Sequence, residues 1–166
     1  MRFSDRVIAA VLAVALFGSG DAQAQAMCNW FDDPFFSITS ALADCPLPAG
    51  PFTPESERGA QAHHRAERGT TCWLAGQCER PNDYAYDADI ATAVRAAVAS
   101  AMPEVATTLW ITVQGRIVYI EGCASTRSAV ITLEERLRTI PYVRQVVSNV
   151  RTDPAARVPY RLRSTP

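Results

Sequence analysis

The stretch Leu109-Trp-Ile-Thr-Val-Gln-Gly-Arg-Ile-Val-Tyr-Ile-Glu-Gly122 constrains this chain more than any other. Two β-rich runs flank Gly115, and the second ends in Gly122. Leu109, Ile111 and Val113 alternate on one face of the first run, with Trp110 on the other. Gln114-Gly115 is a turn signal, a weaker relative of Asn-Gly, in which glycine supplies the positive φ of a tight hairpin. In the return run Val118, Ile120 and Gly122 point one way, while Ile117, Tyr119 and Glu121 point the other. A glycine on the core face of a strand marks the close approach of another backbone, and a helix crossing the sheet is the expected neighbour.

Helical periodicity lies on each side of this hairpin. Asp87 is a good N-cap, and Ile90, Val94, Ala97, Val98 and Ala101 share one face of the helix that follows, which Met102-Pro103 ends. Ser125 or Thr126 caps a second helix, whose apolar stripe is Val130, Leu133, Leu137 and Ile140. Glu134 and Arg138 stand four residues apart on it in the favourable order, and Pro141 stops it. Val143 to Thr152 reads as a last, valine-rich strand. The order helix, strand, strand, helix, strand predicts an α+β fold over residues 86–153. It is a small αββαβ module, a three-stranded sheet with two helices on one face.

The chain begins differently. Arg2 and Arg6, the apolar run Val7 to Phe17 and the A-x-A site Ala24-Gln25-Ala26 make residues 1–26 a secretory signal peptide. The alternatives are an uncleaved anchor, for which the apolar run is short, and a lipid-bearing Cys28, for which Met27 is bulky. Export would place the protein in the periplasm or outside the cell, where disulfides persist. Cys28, Cys45, Cys72 and Cys78 are the disulfide candidates, with three pairings open to them. Cys123 is then the odd one: a small buried residue, a reactive thiol, or a bridge in a dimer.

Residues 27–85 read as an irregular Pro/Cys-rich segment. Ser37 to Ala43 fits a helical turn or two, Cys45 to Pro54 is proline-dense loop, and Glu55 to Arg68 reads as a loose helix. Residues 154–166 lack a core pattern and read as a disordered tail. His63 and His64 with Cys72 and Cys78 match no standard zinc spacing, so no metal and no cofactor are expected. All 16 basic residues are Arg against 17 acidic ones, and such a balance does not point to nucleic acid. No catalytic constellation stands out. The paired carboxylates Asp32-Asp33 and Glu134-Glu135 are sequence neighbours, and Cys72 and Cys78 are not a C-x-x-C redox pair.

Val118-Tyr-Ile-Glu-Gly122, Leu133-Glu-Glu-Arg-Leu137, Ile140-Pro-Tyr-Val143 and Val146-Val-Ser-Asn-Val150 together resemble a BON domain, the family of bacterial osmotically induced and nodulation proteins. The resemblance covers less than half of the chain, and two positions depart from it. Arg116 and Tyr142 stand where family members usually carry glycine. The resemblance implies a non-enzymatic module of the bacterial cell envelope, associated with phospholipid binding, osmotic stress and attachment to envelope assemblies. Many members carry two copies; no second copy is evident in this sequence.

Anionic phospholipid or envelope proteins are the partners so implied. Lipid binding needs cations near phosphate and an aromatic edge at the interface. The candidates are Arg116, Arg127, Arg136, Arg138 and Arg144, with Trp110 and Tyr119. Gly115 and Gly122 are structural. The competing reading is a protein-docking face formed by Trp110, Ile117 and Tyr119, unless the aromatic run Trp30 to Phe36 covers it.

Overall fold

The computed structural model describes residues 26–99 and 105–163. All of the expected leader but Ala26, and the helix end at Ala101, Met102 and Pro103, lie outside the described residues. In chain order the elements are β1 (Met27–Cys28), β2 (Phe35–Ser40), β3 (Thr53–Pro54), α1 (Glu55–Glu67) and α2 (Thr70–Leu74). A 3-10 helix (Asp83–Tyr86) follows, then α3 (Asp87–Ala99), β4 (Thr107–Gln114), β5 (Ile117–Ala124), α4 (Arg127–Arg138) and β6 (Gln145–Arg151).

The hairpin forms as its alternation requires, β4 pairing antiparallel with β5 from Thr107↔Ala124 to Gln114↔Ile117. α4 crosses over to β6, which lies parallel to β5. The Thr126 side chain caps α4, accepting from the Ala129 N–H at 3.4 Å. Leu109, Ile111, Val113, Val118 and Ile120 on the sheet meet Ile90, Val94 and Val98 of α3 and Leu133 and Leu137 of α4 in one core. The apolar stripes fix this arrangement, because each buries its face only against the same side of the sheet.

The sheet has four strands, not three. Its order is β2-β4-β5-β6, and the added edge strand comes from the cysteine-bearing segment. Ser37 to Ser40, expected to begin a helical turn, are strand. The free edge of β4 would otherwise carry a row of unpaired N–H and C=O groups, and β2 satisfies them. Phe36 then enters the core beneath α3. Residues 27–85 are accordingly built into the fold.

The tail also returns to the body. Tyr160 is buried and donates to the Pro46 carbonyl at 2.7 Å, and Leu162 bridges Pro48. Backbone bonds from the Ala49 N–H to the Arg161 carbonyl at 2.8 Å and from the Arg163 N–H to the Leu47 carbonyl at 3.1 Å, not periodicity, hold this stretch.

Cysteine pairing keeps one bridge open to the expected set and departs from the rest. Cys45 bonds Cys123, Cys72 bonds Cys78, and Cys28 is the free thiol. Cys123 is therefore neither a reactive thiol nor a dimer bridge. Register explains the pairing. Thr108 pairs with Ser40 on one side and Cys123 on the other. Its hydroxyl accepts from the Leu42 N–H at 2.7 Å and donates to the Leu42 carbonyl at 3.0 Å. The chain leaving β2 thus folds back across β4 and carries Cys45 to Cys123. A bridge spanning 78 residues restricts the unfolded chain strongly; such cross-links contribute ~2–4 kcal/mol.

Gly115 and Arg116 both adopt positive φ, 59° and 66°, as a two-residue type I′ hairpin requires. Tyr142 has φ 70°. The two departures from the family pattern therefore keep the left-handed backbone and place bulky residues in it. Local bonds hold them there. The Asp87 carboxylate accepts from the Gly115 N–H at 2.7 Å and the Arg116 N–H at 2.8 Å, and Arg116 Nε donates to the Tyr142 carbonyl at 2.8 Å. Asp87 is thus not the helix cap expected of it. Asn82 caps the preceding 3-10 helix, accepting from the Ala85 N–H at 3.1 Å, and frees Asp87 for the hairpin. We expect Arg116→Gly to be less destabilising than Arg116→Ala by about 1 kcal/mol in urea unfolding, because only glycine recovers the left-handed cost. Equal losses would mean that the turn carries no strain.

Gly122 has φ 138°, and a Cβ there would lie 2.1 Å from the Thr108 carbonyl oxygen. The backbone that comes close is the neighbouring strand β4, not the expected helix.

Candidate anion-binding cleft

The second face of the sheet carries Trp110, Thr112, Gln114, Ile117 and Tyr119. Ile117 and Thr112 are buried, and Trp110 and Tyr119 half-buried. The cysteine-bearing segment provides the cover. Trp30 Nε1 donates to the Thr53 carbonyl at 2.9 Å, anchoring β3 and the start of α1 beside that face. An open cleft of about 460 Å³ remains, whose lining includes Glu57, Arg65 and Arg68 of the α1 region, Tyr84, Tyr119 and Arg161.

Arg65 is the most rigid of these cations. Its guanidinium lies 4.1 Å from the ring centres of both Phe31 and Tyr84 and pairs with the buried Asp33 carboxylate. Gln114 Nε2 bonds the same Asp33 oxygen at 2.5 Å. Asn29 clamps the Asp33 backbone, donating to its carbonyl at 2.9 Å and accepting from its N–H at 3.0 Å. Stacking and pairing hold the guanidinium plane and leave its orientation little freedom.

Arg68 belongs to a second cluster. The Asp83 side chain is 1% exposed and has three guanidiniums within 4 Å: Arg144 at 2.9 Å, and Arg68 and Arg116 at 3.6 Å each. Only Arg144 is close enough for a hydrogen bond, and Asp83 Oδ1 has no hydrogen-bond partner. Three guanidiniums thus share one buried carboxylate, and Asp33 and Asp87 act beside Arg65 and Arg68 on Tyr84. This grouping is not visible in the near-neutral composition and exists only in the fold.

Burial pushes the Tyr84 hydroxyl above its ordinary value, against the pull of Arg65 and Arg68. Glu121 is likewise raised by burial, with Arg161 opposing. Asp87 is raised from 3.8 to about 6, chiefly by burial, against the two N–H groups it accepts from. The folded protein therefore holds the Asp87 proton more tightly than the unfolded chain does. The stability it contributes is complete below about pH 4 and is lost as pH rises through about 6, a change of about 3 kcal/mol. We expect the urea midpoint of Asp87→Asn to lose that dependence between pH 4 and 7; an unaltered pH profile would rule it out.

The residues expected to bind lipid do not form one surface. Arg116 is 14% exposed, committed to Asp83 and Tyr142 and stacked over Tyr86 at 4.7 Å. Arg144 is half-exposed and paired with Asp83. Arg127, Arg136 and Arg138 sit on α4, behind the core, where Arg138 donates to Glu134 at 2.7 Å. Trp110 is paired between Ser37 and Glu121. Tyr119 alone of the set lines the cleft. Arg65, Arg68 and Arg161 were not singled out from the sequence, since they lie outside the periodic region. Tyr84 next to a capped turn was the only local cue.

The thiols of Cys72 and Cys78 are consumed by their disulfide, so the His63, His64, Cys72, Cys78 set cannot ligate a metal. Among the described residues no group of His, Cys, Asp and Glu has the arrangement of a metal site, and no helix is long and apolar enough to cross a membrane.

The family model of the BON domain matches residues 86–154. This segment is a BON domain. No curated protein and no solved structure matches the chain. The BON family is associated with the envelope and with phospholipid binding, and is generally non-enzymatic. The BON domain supplies Gln114 and Tyr119 to the cleft, while Arg65, Arg68 and Tyr84 come from the segment before it and Arg161 from the segment after it. The cleft is thus a joint product of all three. Its guanidinium and phenol donors suit an oxyanion, by charge-assisted hydrogen bonds.

Proposed function

We propose that the protein is a non-enzymatic binding module of the cell envelope, periplasmic or secreted, that contacts anionic phospholipid head groups and supports the envelope under osmotic stress. The observation that carries this is the cleft, where Arg65, Arg68 and Arg161 converge around one opening and Arg68 shares its buried carboxylate with two further arginines. Phosphate would meet preoriented donors there. The two disulfides fit an oxidising compartment.

The test is co-sedimentation of residues 27–166 with anionic and neutral vesicles at low and moderate salt. Binding to anionic vesicles alone, weakened by salt and by Arg161→Glu, supports the cleft. Binding lost only when Arg127 and Arg138 become Glu moves the contact to α4. No binding at either salt removes lipid and leaves the alternative, a module docking onto periplasmic or outer-membrane proteins. The burial of Ile117 disfavours that reading on the sheet face.

A further inference from the structure

Gly69 to Cys78 are ten residues without a charge, in a chain with 20% charged residues. They fold into a knuckle. α2 makes little more than one turn, and the Cys72–Cys78 bridge closes the loop. Backbone bonds compact it: Ala75 to Thr71 at 3.0 Å, Gly76 to Trp73 at 2.9 Å and Gln77 to Cys72 at 3.0 Å. Trp73 and Leu74 stand out from it, 44% and 78% exposed, and Leu74 is the most exposed large apolar residue among those described. One exposed leucine is ordinary. Trp73 and Leu74 are adjacent on one cross-linked loop and together form a small exposed apolar tip.

The base of the knuckle is fixed to the arginine-rich cluster. The Asp83 N–H donates to the Arg68 carbonyl at 3.1 Å, and Gly69 lies so close that a Cβ would come within 2.7 Å of Asp83. Tyr142, 40% exposed, stands beside the end of the loop, its hydroxyl donating to Glu79 at 3.0 Å. Apolar tip and cationic base are thus contiguous.

We infer that the Trp73–Leu74 knuckle is an interfacial anchor that inserts into the head-group and upper acyl region of a lipid bilayer. This rests on the lipid reading above and gives it a contact point outside the BON domain. Three observations favour a bilayer over a protein groove. The loop is uncharged, as insertion requires. Among the described residues Trp73 Nε1 has no acceptor, whereas Trp30 has one, and an indole donor facing lipid carbonyls and phosphates is the usual role of interfacial tryptophan. The two side chains offer on the order of 300 Å², well below the ~800 Å² that each partner buries in a standard protein interface. A small apolar tip beside a cationic cluster fits reversible attachment to an anionic surface.

The experiment uses residues 27–166, which hold every described residue but Ala26 and leave out the expected leader. Vesicles of phosphatidylcholine with phosphatidylglycerol, and the same with brominated acyl chains, are added to the wild type, to Trp73→Ser and to the Trp73→Ser, Leu74→Ser double variant. The expected result is quenching of the wild type by brominated lipid, absent in Trp73→Ser. The double variant should bind roughly tenfold more weakly or worse, with its urea midpoint unchanged. Equal binding of wild type and double variant, with no quenching assigned to Trp73, overturns the anchor and leaves the lipid reading standing. Failure of the wild type to bind either vesicle overturns both.

Discussion

Gly122→Ala is expected to unfold the molecule or destabilise it by on the order of 4 kcal/mol or more, a size reserved for such clashes. Two causes act together. The backbone sits at φ 138°, a region that residues with a Cβ rarely enter. The new methyl would also lie 2.1 Å from the Thr108 oxygen and 3.1 Å from the Leu109 Cα, both backbone atoms that no rotamer change can move. Relief requires β4 to separate from β5 where Leu109 faces Gly122 and where Thr108 also anchors the chain to Cys45. Urea unfolding with disulfides intact measures it. A loss below about 1 kcal/mol would mean that the strands can part at little cost, and that the glycine is there for another reason.

Asp83→Asn is expected to cost about 3 kcal/mol. Removing one partner of a buried ion pair strands the other, at ~3–5 kcal/mol when both are buried. The lower figure applies because Arg144 is 47% exposed and can turn to water, while Arg116, at 14%, cannot. The same substitution leaves three arginines without their common carboxylate. A folded Asp83→Asn protein should therefore bind anionic vesicles more tightly at low salt, even as its urea midpoint falls. Loss of stability with unchanged vesicle binding would detach this cluster from lipid contact.

The core of the BON domain was legible in the sequence because its elements alternate with the right period. The stripes of Ile90, Val94 and Val98, of Leu133 and Leu137, and of Leu109, Ile111 and Val113 each specify a face, and faces of that kind have few ways to combine. Glu134 and Arg138 formed the predicted pair because their spacing is internal to one helix. The site was less legible for the opposite reason. Arg65, Arg68 and Tyr84 gain their role from what the fold sets beside them, namely Phe31, Asp33 and Asp83. Arg116 and Arg144 look like free surface cations in sequence, and only the fold puts a buried carboxylate between them.

By itself, then, the sequence determined the αββαβ order, the two core helix faces, the hairpin glycines and the BON resemblance. Each depends on residues close together in the chain, where periodicity and turn chemistry act directly. Tertiary structure decided the fourth strand, the Cys45–Cys123 bridge, the return of Tyr160 to the body and the arginine cluster on Asp83. These link residues from about 15 to more than 100 positions apart. Such contacts follow from register, free sheet edges and buried charge, which exist only after the chain has folded.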